Sequence, residues 1–176
     1  MTCIVGIVDK ENEVVYMAAD RGISDDDVIF SMSTPKIKQN GLYLIGYADS
    51  PGTGQLLHWL TLPTPPKRNL DKFMRTTFAM AVRKALIESG VDLKDSAHAS
   101  FLIGVNGSLF SMDTEDWQVI EVDYMSIGSG SSIAMGSLYT TETWKSAEKR
   151  ALVAVNAAVS LSPSCQGPVD ILWVQN

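Results

Sequence analysis

Thr2 is the residue whose position in the sequence could give it reactivity of its own. A threonine hydroxyl is a weak nucleophile unless a base lies beside it. Once Met1 is removed, Thr2 carries a free α-amine, and such an amine has a pKa of about 7.7–8.0 in unstructured peptides. The amine could then accept the Oγ proton near neutral pH, directly or through one water. Many unrelated chains also begin Met-Thr, so this interpretation depends on the residues that the fold brings to Thr2.

Polar and glycine residues at the ends of predicted strands are the other candidates. Asp20 ends the second predicted strand, and Lys36 opens the third, sixteen residues later. Gly46 lies near the end of the fourth strand, and Ser129 lies in a glycine-rich turn from a strand into a helix. Simpler interpretations stay open: a surface ion pair, a β-bulge at Gly46 and a helix cap at Ser129. The turn lacks the Gly-Lys-Ser/Thr of a phosphate-binding loop, so nucleotide binding is not indicated.

These residues must be positioned by a regular order of strands and helices. Asn-Gly pairs at 40–41 and 106–107 predict tight hairpins. Apolar residues at helical spacing predict a helix that Asn69 caps and that ends at Gly90. The predicted strands cover 2–8, 13–20, 36–39, 42–47, 98–105, 108–113, 117–123 and 169–174, with a short one at 28–30, and the other helices cover 52–60, 133–139 and 143–161.

The order of these elements predicts the fold class. Strands in runs, separated by helices in pairs, do not give the strand–helix alternation of a parallel α/β sheet. Two antiparallel sheets packed face to face, with a helix pair on each outer side, would bury the apolar strands on both faces. The sequence therefore predicts an α+β fold, a four-layer αββα sandwich, in one domain over residues 1–176, a size at which a single core suffices.

Several blocks of sequence resemble the proteasome β-subunit family, and the length is most similar to its bacterial HslV branch. The blocks are the Thr-x-Ile-Val-Gly start, Ala-Asp-Arg at 19–21, Lys-Ile at 36–37 and Ile-Gly-Ser-Gly-Ser at 127–131, with a Gly-Pro-Val-Asp-Ile-Leu ending at 167–172. Each block is weak alone, but together they span essentially the whole chain. The resemblance implies the N-terminal-nucleophile (Ntn) hydrolase fold and threonine peptidase activity.

The resemblance also implies a role for each candidate residue. Thr2 would attack the scissile carbonyl and form an acyl-enzyme. Lys36 would keep the Thr2 amine deprotonated through its charge, and Asp20 would hold Lys36 as an ion pair. The Gly46 N–H would stabilise the oxyanion, with glycine there because the substrate backbone approaches closely. Ser129, followed by Gly130 at a helix start, would bond the Thr2 amine and relay protons.

The residues that match the family's primary specificity pocket are apolar. They are Ile23, Leu44 and Ala48, and they predict cleavage after hydrophobic residues. The resemblance further implies a stacked double ring of six or seven subunits, an AAA+ unfoldase as partner, and unfolded polypeptides as substrates.

The loop before the last strand departs from the archaeal proteasome pattern. That pattern has an aspartate and a serine where this chain has Ser162 and Cys165. The HslV branch also lacks the aspartate, and its loop can hold a cation through backbone carbonyls. The resemblance therefore leaves open a structural monovalent or divalent cation in this loop, and we expect no other metal or cofactor.

Composition excludes several other classes of protein. The 176 residues carry a formal charge of −6 without a basic cluster, which argues against nucleic acid or an anionic membrane as partner. The sequence shows no secretion signal and no stretch of about 18 apolar residues. Two cysteines give no disulfide framework, and we expect a cytoplasmic protein.

Two alternatives to a working peptidase stay open. The first is a catalytically inactive ring or scaffold subunit, against which the retention of Thr2, Asp20, Lys36 and Gly46 argues. The second is a stand-alone Ntn amidase that acts on a small molecule, although such enzymes are usually longer. A retained Met1 would favour the first, and a monomer in solution would favour the second.

Overall fold

The computed structural model describes residues 2–25, 28–92 and 98–175. A π-helical turn, Met74–Phe78, joins the second and third helices. In chain order the elements are β1 (Ile4–Asp9), β2 (Val14–Ala19), β3 (Gly22–Asp25), β4 (Val28–Ser31), β5 (Ile37–Asn40), β6 (Tyr43–Ala48), α1 (Pro51–Leu57), α2 (Leu70–Phe73), α3 (Ala79–Glu88), β7 (Ser100–Val105), β8 (Ser108–Asp113), β9 (Val119–Val122), β10 (Tyr124–Ile127), α4 (Ser131–Thr140), α5 (Ala147–Leu161) and β11 (Asp170–Val174).

The strands form two large antiparallel sheets and one separate hairpin. The first sheet has the order β10-β1-β2-β11, and the second has the order β5-β6-β7-β8-β9. Strands β3 and β4 pair with each other as a two-stranded ribbon. The ribbon extends the prediction, which placed one short strand at 28–30.

Three hydrophobic clusters separate four layers. One lies between the sheets and includes Ile4, Met17 and Leu102. A second packs α4 and α5 against the outer face of the first sheet, and a third packs α1 and α3 against the outer face of the second. The layer order is therefore helix, sheet, sheet, helix, and the predicted αββα sandwich is confirmed.

Strand β1 lies inside its sheet and therefore fixes the start of the chain. Its residues pair with β2 on one side and with β10 on the other, and Ile4 lies opposite both Ala19 and Ile127. Chain termini are usually poorly ordered unless a sheet or a docked helix holds them. The pairing places Thr2 next to the end of β2 and the turn after β10.

Some predicted details differ from the structure. Asn69 precedes α2 but has φ of 57° and makes no side-chain cap, so it is not the predicted N-cap. The helix predicted from 143 begins at Ala147, because the Ser146 side chain caps it by accepting from the Lys149 N–H at 3.2 Å. The turn predicted at Asn40 and Gly41 is displaced by one residue. Asn40 pairs with Tyr43, so the two turn residues are Gly41 and Leu42.

Among the helices that the structure describes, none combines the length and the apolar character needed to cross a membrane.

Candidate active site

Thr2 is held at the junction of β1 and the turn between β10 and α4. Its N–H donates to Ser129 Oγ at 3.1 Å, and its carbonyl accepts from the Gly130 N–H at 3.0 Å. Gly128 has φ of 88°, and a Cβ there would overlap the Thr2 carbonyl. The turn can approach Thr2 this closely because residue 128 has no side chain. Thr2 is buried, with 7% of its surface exposed.

A buried ion pair lies beside Thr2. Lys36 Nζ donates to Asp20 Oδ1 at 2.9 Å and also to the Gly22 carbonyl. The two side chains are 2% and 0% exposed. A buried charge is tolerated only when a partner and further hydrogen bonds compensate its desolvation. This pair is compensated, so the Lys36 charge is fixed in position.

Asp20 connects the ion pair to three other backbone segments. Its Oδ1 also accepts from the Cys3 N–H at 2.8 Å, and its Oδ2 accepts from the N–H groups of Gly22 at 2.9 Å and Gln166 at 3.1 Å. Four donors thus surround one carboxylate and use both of its oxygens as acceptors. The carboxylate holds the start of β1, the start of β3 and the loop before β11 together.

Thr2 and Lys36 open into the same small cleft. Its other lining residues are Ile23, Met32, Tyr47, Asp49 and Pro51. The enclosed space is about 20 Å³, enough for one water molecule. The arrangement therefore places a hydroxyl, a fixed cation and room for one water at an opening lined by both polar and apolar side chains.

The three residues predicted to form the specificity pocket lie in two different places. Ile23 lines the cleft. Leu44 and Ala48 are buried in the core between the sheets, on the same side of β6 as Gly46. The position where Gly46 would carry a Cβ lies 2.9 Å from Ile4 Cγ2 and 2.9 Å from Met17 Sδ. Packing between the sheets therefore explains the glycine at position 46. We had instead predicted glycine there because a substrate backbone would approach it.

Gly130 is also required by packing. Its φ is −86°, which any residue can adopt. A Cβ on Gly130 would lie 2.6 Å from Cys165 Sγ and 2.8 Å from Cys3 Cβ. The absence of a side chain lets the N-terminal end of α4 approach both Thr2 and the loop before β11.

No protein-family model matches the sequence, and no curated protein matches it. Several solved structures, in contrast, are similar to the chain. The chain is similar to the BPH protein of Thiobacillus denitrificans in complex with epoxomicin, with a TM-score of 0.81 and 22% identity over 98% of each chain. A second structure of Thiobacillus denitrificans BPH gives a TM-score of 0.80 and 21% identity, over 99% of this chain and 98% of that one. HslV from Trypanosoma brucei gives 0.70 and 18%, over 99% of this chain and 100% of that one. The chain has the fold of HslV.

In this HslV fold the loop before β11 contributes contacts that the sequence did not predict. Ser164 Oγ donates to Ser129 Oγ at 3.0 Å, and Ser162 Oγ lies 2.7 Å from Ser164 Oγ. The Gln166 N–H bonds Asp20. The loop was singled out in the sequence through Ser162 and Cys165, but no pattern indicated that Ser164 would reach Ser129, thirty-five residues earlier.

The two cysteines lie together beside the candidate site. Cys3 and Cys165 are both free and buried. The Cys3 thiol donates to Cys165, which lowers the pKa of Cys165 to about 7. The same hydrogen bond, together with burial, raises the pKa of Cys3. Cys3 therefore remains a thiol and packs as a small apolar residue.

The cation that the HslV resemblance left open finds little support in the carbonyls of its loop. The carbonyls of Ser162, Gln166 and Gly167 accept hydrogen bonds from Cys165 N–H, Arg21 N–H and Ser31 Oγ respectively. A hard cation needs several oxygens that converge on it, and these three point to protein donors. We derive no step from a cation.

One other group of possible metal ligands occurs within residues 2–25, 28–92 and 98–175. Ligand atoms of His98, Asp113 and Glu115 lie within 4.8 Å of one another. His98 and Glu115 are exposed at the surface, and Asp113 already accepts from Ser100 Oγ and from the Glu115 N–H. We assign this group no role.

Proposed function

We propose that the chain is a threonine-type endopeptidase that uses Thr2 as its nucleophile after Met1 is removed. The observation that carries the proposal is the shared cleft of Thr2 and Lys36, with Lys36 buried and paired to Asp20. A buried charge in this cleft acts on the Thr2 hydroxyl and amine, whereas the charge of an ordinary surface pair would be screened by solvent. The fold supports the same assignment, since HslV-like structures cover nearly the whole chain.

The chemistry needs only groups of this chain, the substrate and water. The Thr2 amine takes the Oγ proton while Oγ adds to the scissile carbonyl. The proton then passes to the leaving amine, the C–N bond breaks, and an ester links Thr2 to the acyl half. Water, deprotonated by the same amine, adds to the ester and releases the acid. The Lys36 charge favours the neutral amine at the start of each half-reaction.

The negative charge that forms on the carbonyl oxygen needs a donor. The Gly46 N–H, which the resemblance implied, lies inside β6 on the side that pairs with Leu102 of β7. One such donor contributes roughly 3–4 kcal/mol to the transition state. The side of Gly46 that faces Ile4 and Met17 is filled by the core. The predicted Gly46 donor is therefore enclosed within the sheet and does not line the cleft.

We propose unfolded polypeptides as substrates and hydrophobic residues at the cleavage site. Ile23, Met32 and Tyr47 give the cleft an apolar lining. The similar BPH structure is a complex with epoxomicin, which supports a ligand-binding site in this chain as well. By likeness to HslV we further propose a double ring of six or seven subunits, coupled to an AAA+ unfoldase inside the cell. Two free cysteines are consistent with such a reducing compartment.

Hydrolysis of fluorogenic peptides tests the assignment. We expect turnover of peptides with a hydrophobic residue before the scissile bond, and a preference for acidic or basic residues there would contradict the proposed specificity. Thr2→Ala should lose activity by at least about 10³-fold, because both nucleophile and acyl-enzyme disappear. Thr77→Ala, at an exposed position on the π-helical turn, is the matched control. Equal activity in Thr2→Ala and Thr77→Ala would refute the proposal.

A further inference from the structure

The fold brings the side chains of Cys3 and Cys165 to one point, at the N-terminal end of α4. A Cβ on Gly130 would lie 2.6 Å from Cys165 Sγ and 2.8 Å from Cys3 Cβ. Both cysteines are free, and both belong to the hydrophobic cluster under α4 and α5. A disulfide requires two thiols that face each other, with Cβ atoms about 3.8 Å apart. The two thiols are therefore placed where they can react with each other.

The two thiols differ in acidity and in access. The hydrogen bond from Cys3 lowers the pKa of Cys165 to about 7, and the Ser162 and Ser164 side chains act in the same direction. Cys165 is therefore partly a thiolate at neutral pH, and the thiolate is the form that peroxides oxidise. Cys165 is 6% exposed and Cys3 is 0% exposed. A small oxidant thus reaches the more reactive of the two sulfurs first.

Both cysteines are joined to the residues that position the nucleophile. Cys3 is bonded directly to Thr2, and its N–H donates to Asp20 Oδ1 at 2.8 Å. The N–H of Gln166, the residue after Cys165, donates to Asp20 Oδ2 at 3.1 Å. A displacement of either sulfur is therefore passed to Thr2 or to the Asp20 carboxylate through at most one further residue.

We propose that Cys3 and Cys165 are a reversible oxidation site for hydrogen peroxide, and that the disulfide formed there lowers the activity of Thr2. The effect on activity rests on the proposed function, whereas the disulfide rests on the two thiols alone. In a reducing compartment such as the one proposed above, disulfides are usually transient and redox-sensing.

The oxidation proceeds in two balanced steps. The Cys165 thiolate attacks one oxygen of hydrogen peroxide, the O–O bond breaks, and hydroxide leaves and takes up a proton to become water. Cys165 is then a sulfenic acid. The Cys3 sulfur attacks the Cys165 sulfur, the S–O bond breaks, and the hydroxyl leaves with the Cys3 proton as a second water. The two cysteines lose two electrons in all, and a dithiol reductant returns them by thiol–disulfide exchange.

The second step is helped by the loss of a hydrogen bond. The bond to Cys165, followed by burial, raises the pKa of Cys3 in the reduced protein. Once the Cys165 sulfur carries an oxygen it is no longer an anionic acceptor, so Cys3 is held less strongly as a thiol. Cys3 therefore acts as the resolving cysteine.

The new bond has to move the start of the chain, the loop before β11, or both. A disulfide holds its sulfurs about 2.05 Å apart, much closer than two thiols in contact. A nucleophile displaced by about 1 Å can lose about 10²-fold in rate. We therefore expect oxidation to lower kcat/KM about 10- to 100-fold.

Peptide mapping without reductant tests the disulfide directly. The wild-type chain is treated with hydrogen peroxide, alkylated with iodoacetamide and digested with trypsin, which cleaves after Lys10 and Arg150 and so releases each cysteine on its own peptide. We expect the two peptides to be joined, with about 2 Da lost as two hydrogens, and to separate in dithiothreitol. Cys165 oxidised to a sulfinic acid without a link, or a link between two copies of the chain, would overturn the inference.

Peptide hydrolysis measures the effect on Thr2. Wild-type kcat/KM should fall about 10- to 100-fold after peroxide and return in dithiothreitol, which does not restore oxidised methionine. Cys165→Ala is the matched control, because it keeps all eight methionines and cannot form the link. Its activity should be the same before and after peroxide. If Cys165→Ala does not fold, Cys3→Ala supplies the same control.

An equal loss of activity in the wild type and in the control variant would place the damage elsewhere and overturn the inference. Full activity of the linked chain would overturn the control of Thr2. If the link forms while the reduced chain hydrolyses no peptide, the oxidation site stands and the proposed function fails. Hydrolysis by the reduced chain without a link after peroxide gives the opposite result.

Discussion

The Asp20 carboxylate accepts hydrogen bonds at both oxygens, and its donors belong to different parts of the site. Lys36 and the backbone of residues 3, 22 and 166 all converge on it. An amide in its place would turn one acceptor oxygen into an NH₂ group facing other donors. Lys36 would then keep its charge, buried, without an anionic partner.

We therefore predict that Asp20→Asn lowers the free energy of unfolding by about 3–5 kcal/mol, the usual cost of breaking a buried ion pair from one side. Urea unfolding followed by circular dichroism measures it. Asp123→Asn is the control, because Asp123 pairs with Lys10 at the surface, where both side chains are more than half exposed, and should cost less than about 1 kcal/mol. Equal losses in the two variants would contradict a structural role for Asp20.

At this scale the sequence predicted which residues meet, and it was less informative about why. The family resemblance brought Thr2, Asp20, Lys36 and Ser129 together in the prediction, and the structure places them in contact or in one cleft. The need for glycine at 46 arises from side chains of another sheet. Ser164 meets Ser129 through loop conformation, which leaves no periodic signal.

The turn between β10 and α4 packs directly against Thr2. Gly128 has φ of 88° with Thr2 directly above it, whereas Gly136, inside α4, has open space around the position of a Cβ. Helix-interior glycine costs stability relative to alanine. The two positions therefore give opposite expectations for the same substitution.

Gly128→Ala should destabilise the fold by about 1–3 kcal/mol through backbone strain and lower kcat/KM by about 10²-fold, since it displaces the nucleophile. Gly136→Ala should leave activity unchanged and raise the free energy of unfolding by about 0.5–1 kcal/mol. Thermal unfolding and peptide hydrolysis measure both. Full activity in Gly128→Ala would show that the turn does not position Thr2.

The end of α1 carries a buried histidine that links stability to pH. His58 is 5% exposed, and its Nε2 lies 3.0 Å from the Ile45 carbonyl. Burial, together with the charge of Lys38, lowers the pKa of His58 to about 4. Its value in the unfolded chain is about 6.5. The unfolded state therefore binds a proton first as the pH falls.

Because the folded pKa is depressed, the contribution of neutral His58 is complete above pH 6.5 and is lost as the pH falls toward 4. The difference amounts to roughly 3 kcal/mol over that range. Urea unfolding at several pH values measures it. His58→Gln should flatten the loss between pH 6.5 and 4.5, while His98→Gln, at a position 74% exposed, should follow the wild type. An unchanged slope in His58→Gln would exclude this linkage.

Element order and type could be read from the sequence, because strands of alternating apolar residues and helices of period 3.6 are long and regular here. The caps could not. Asn69 adopts a left-handed conformation instead of capping α2. Ser146 caps α5, whose first residue lies four positions after the predicted start. Such choices depend on the loop that leads into the helix, which tertiary contacts determine.

At the scale of the whole molecule, the surface carries large apolar side chains on several elements. Trp59, Leu161 and Trp173 are 78%, 73% and 60% exposed. They lie just after α1, at the end of α5 and on β11. Single exposed apolar residues are normal at a protein surface, so the expectation of assembly rests on the likeness to HslV.

We predict that the chain assembles in solution into twelve or fourteen copies of the 19.1-kDa subunit. Native mass spectrometry gives the copy number directly, and light scattering after gel filtration checks it at higher concentration. Trp173→Lys should reduce the assembly if β11 lies at a contact between subunits. A monomer at micromolar concentration would contradict the ring and favour a stand-alone amidase.

Layer order at this scale followed from the runs of strands and pairs of helices, and the sandwich was predictable for that reason. Assembly was predicted from resemblance alone, because one chain's sequence does not state which of its apolar residues a second copy covers.

The most direct test of the central claim is intact mass spectrometry of the purified chain before and after incubation with epoxomicin. Its ketone and epoxide carbons can react with the hydroxyl and the amine of a terminal threonine. We predict a chain that lacks Met1 and gains one inhibitor, with the adduct on the peptide that begins at Thr2 and absent from Thr2→Ala. A chain that lacks Met1 and still gains no adduct would contradict the account, because Thr2 would then be free but not activated.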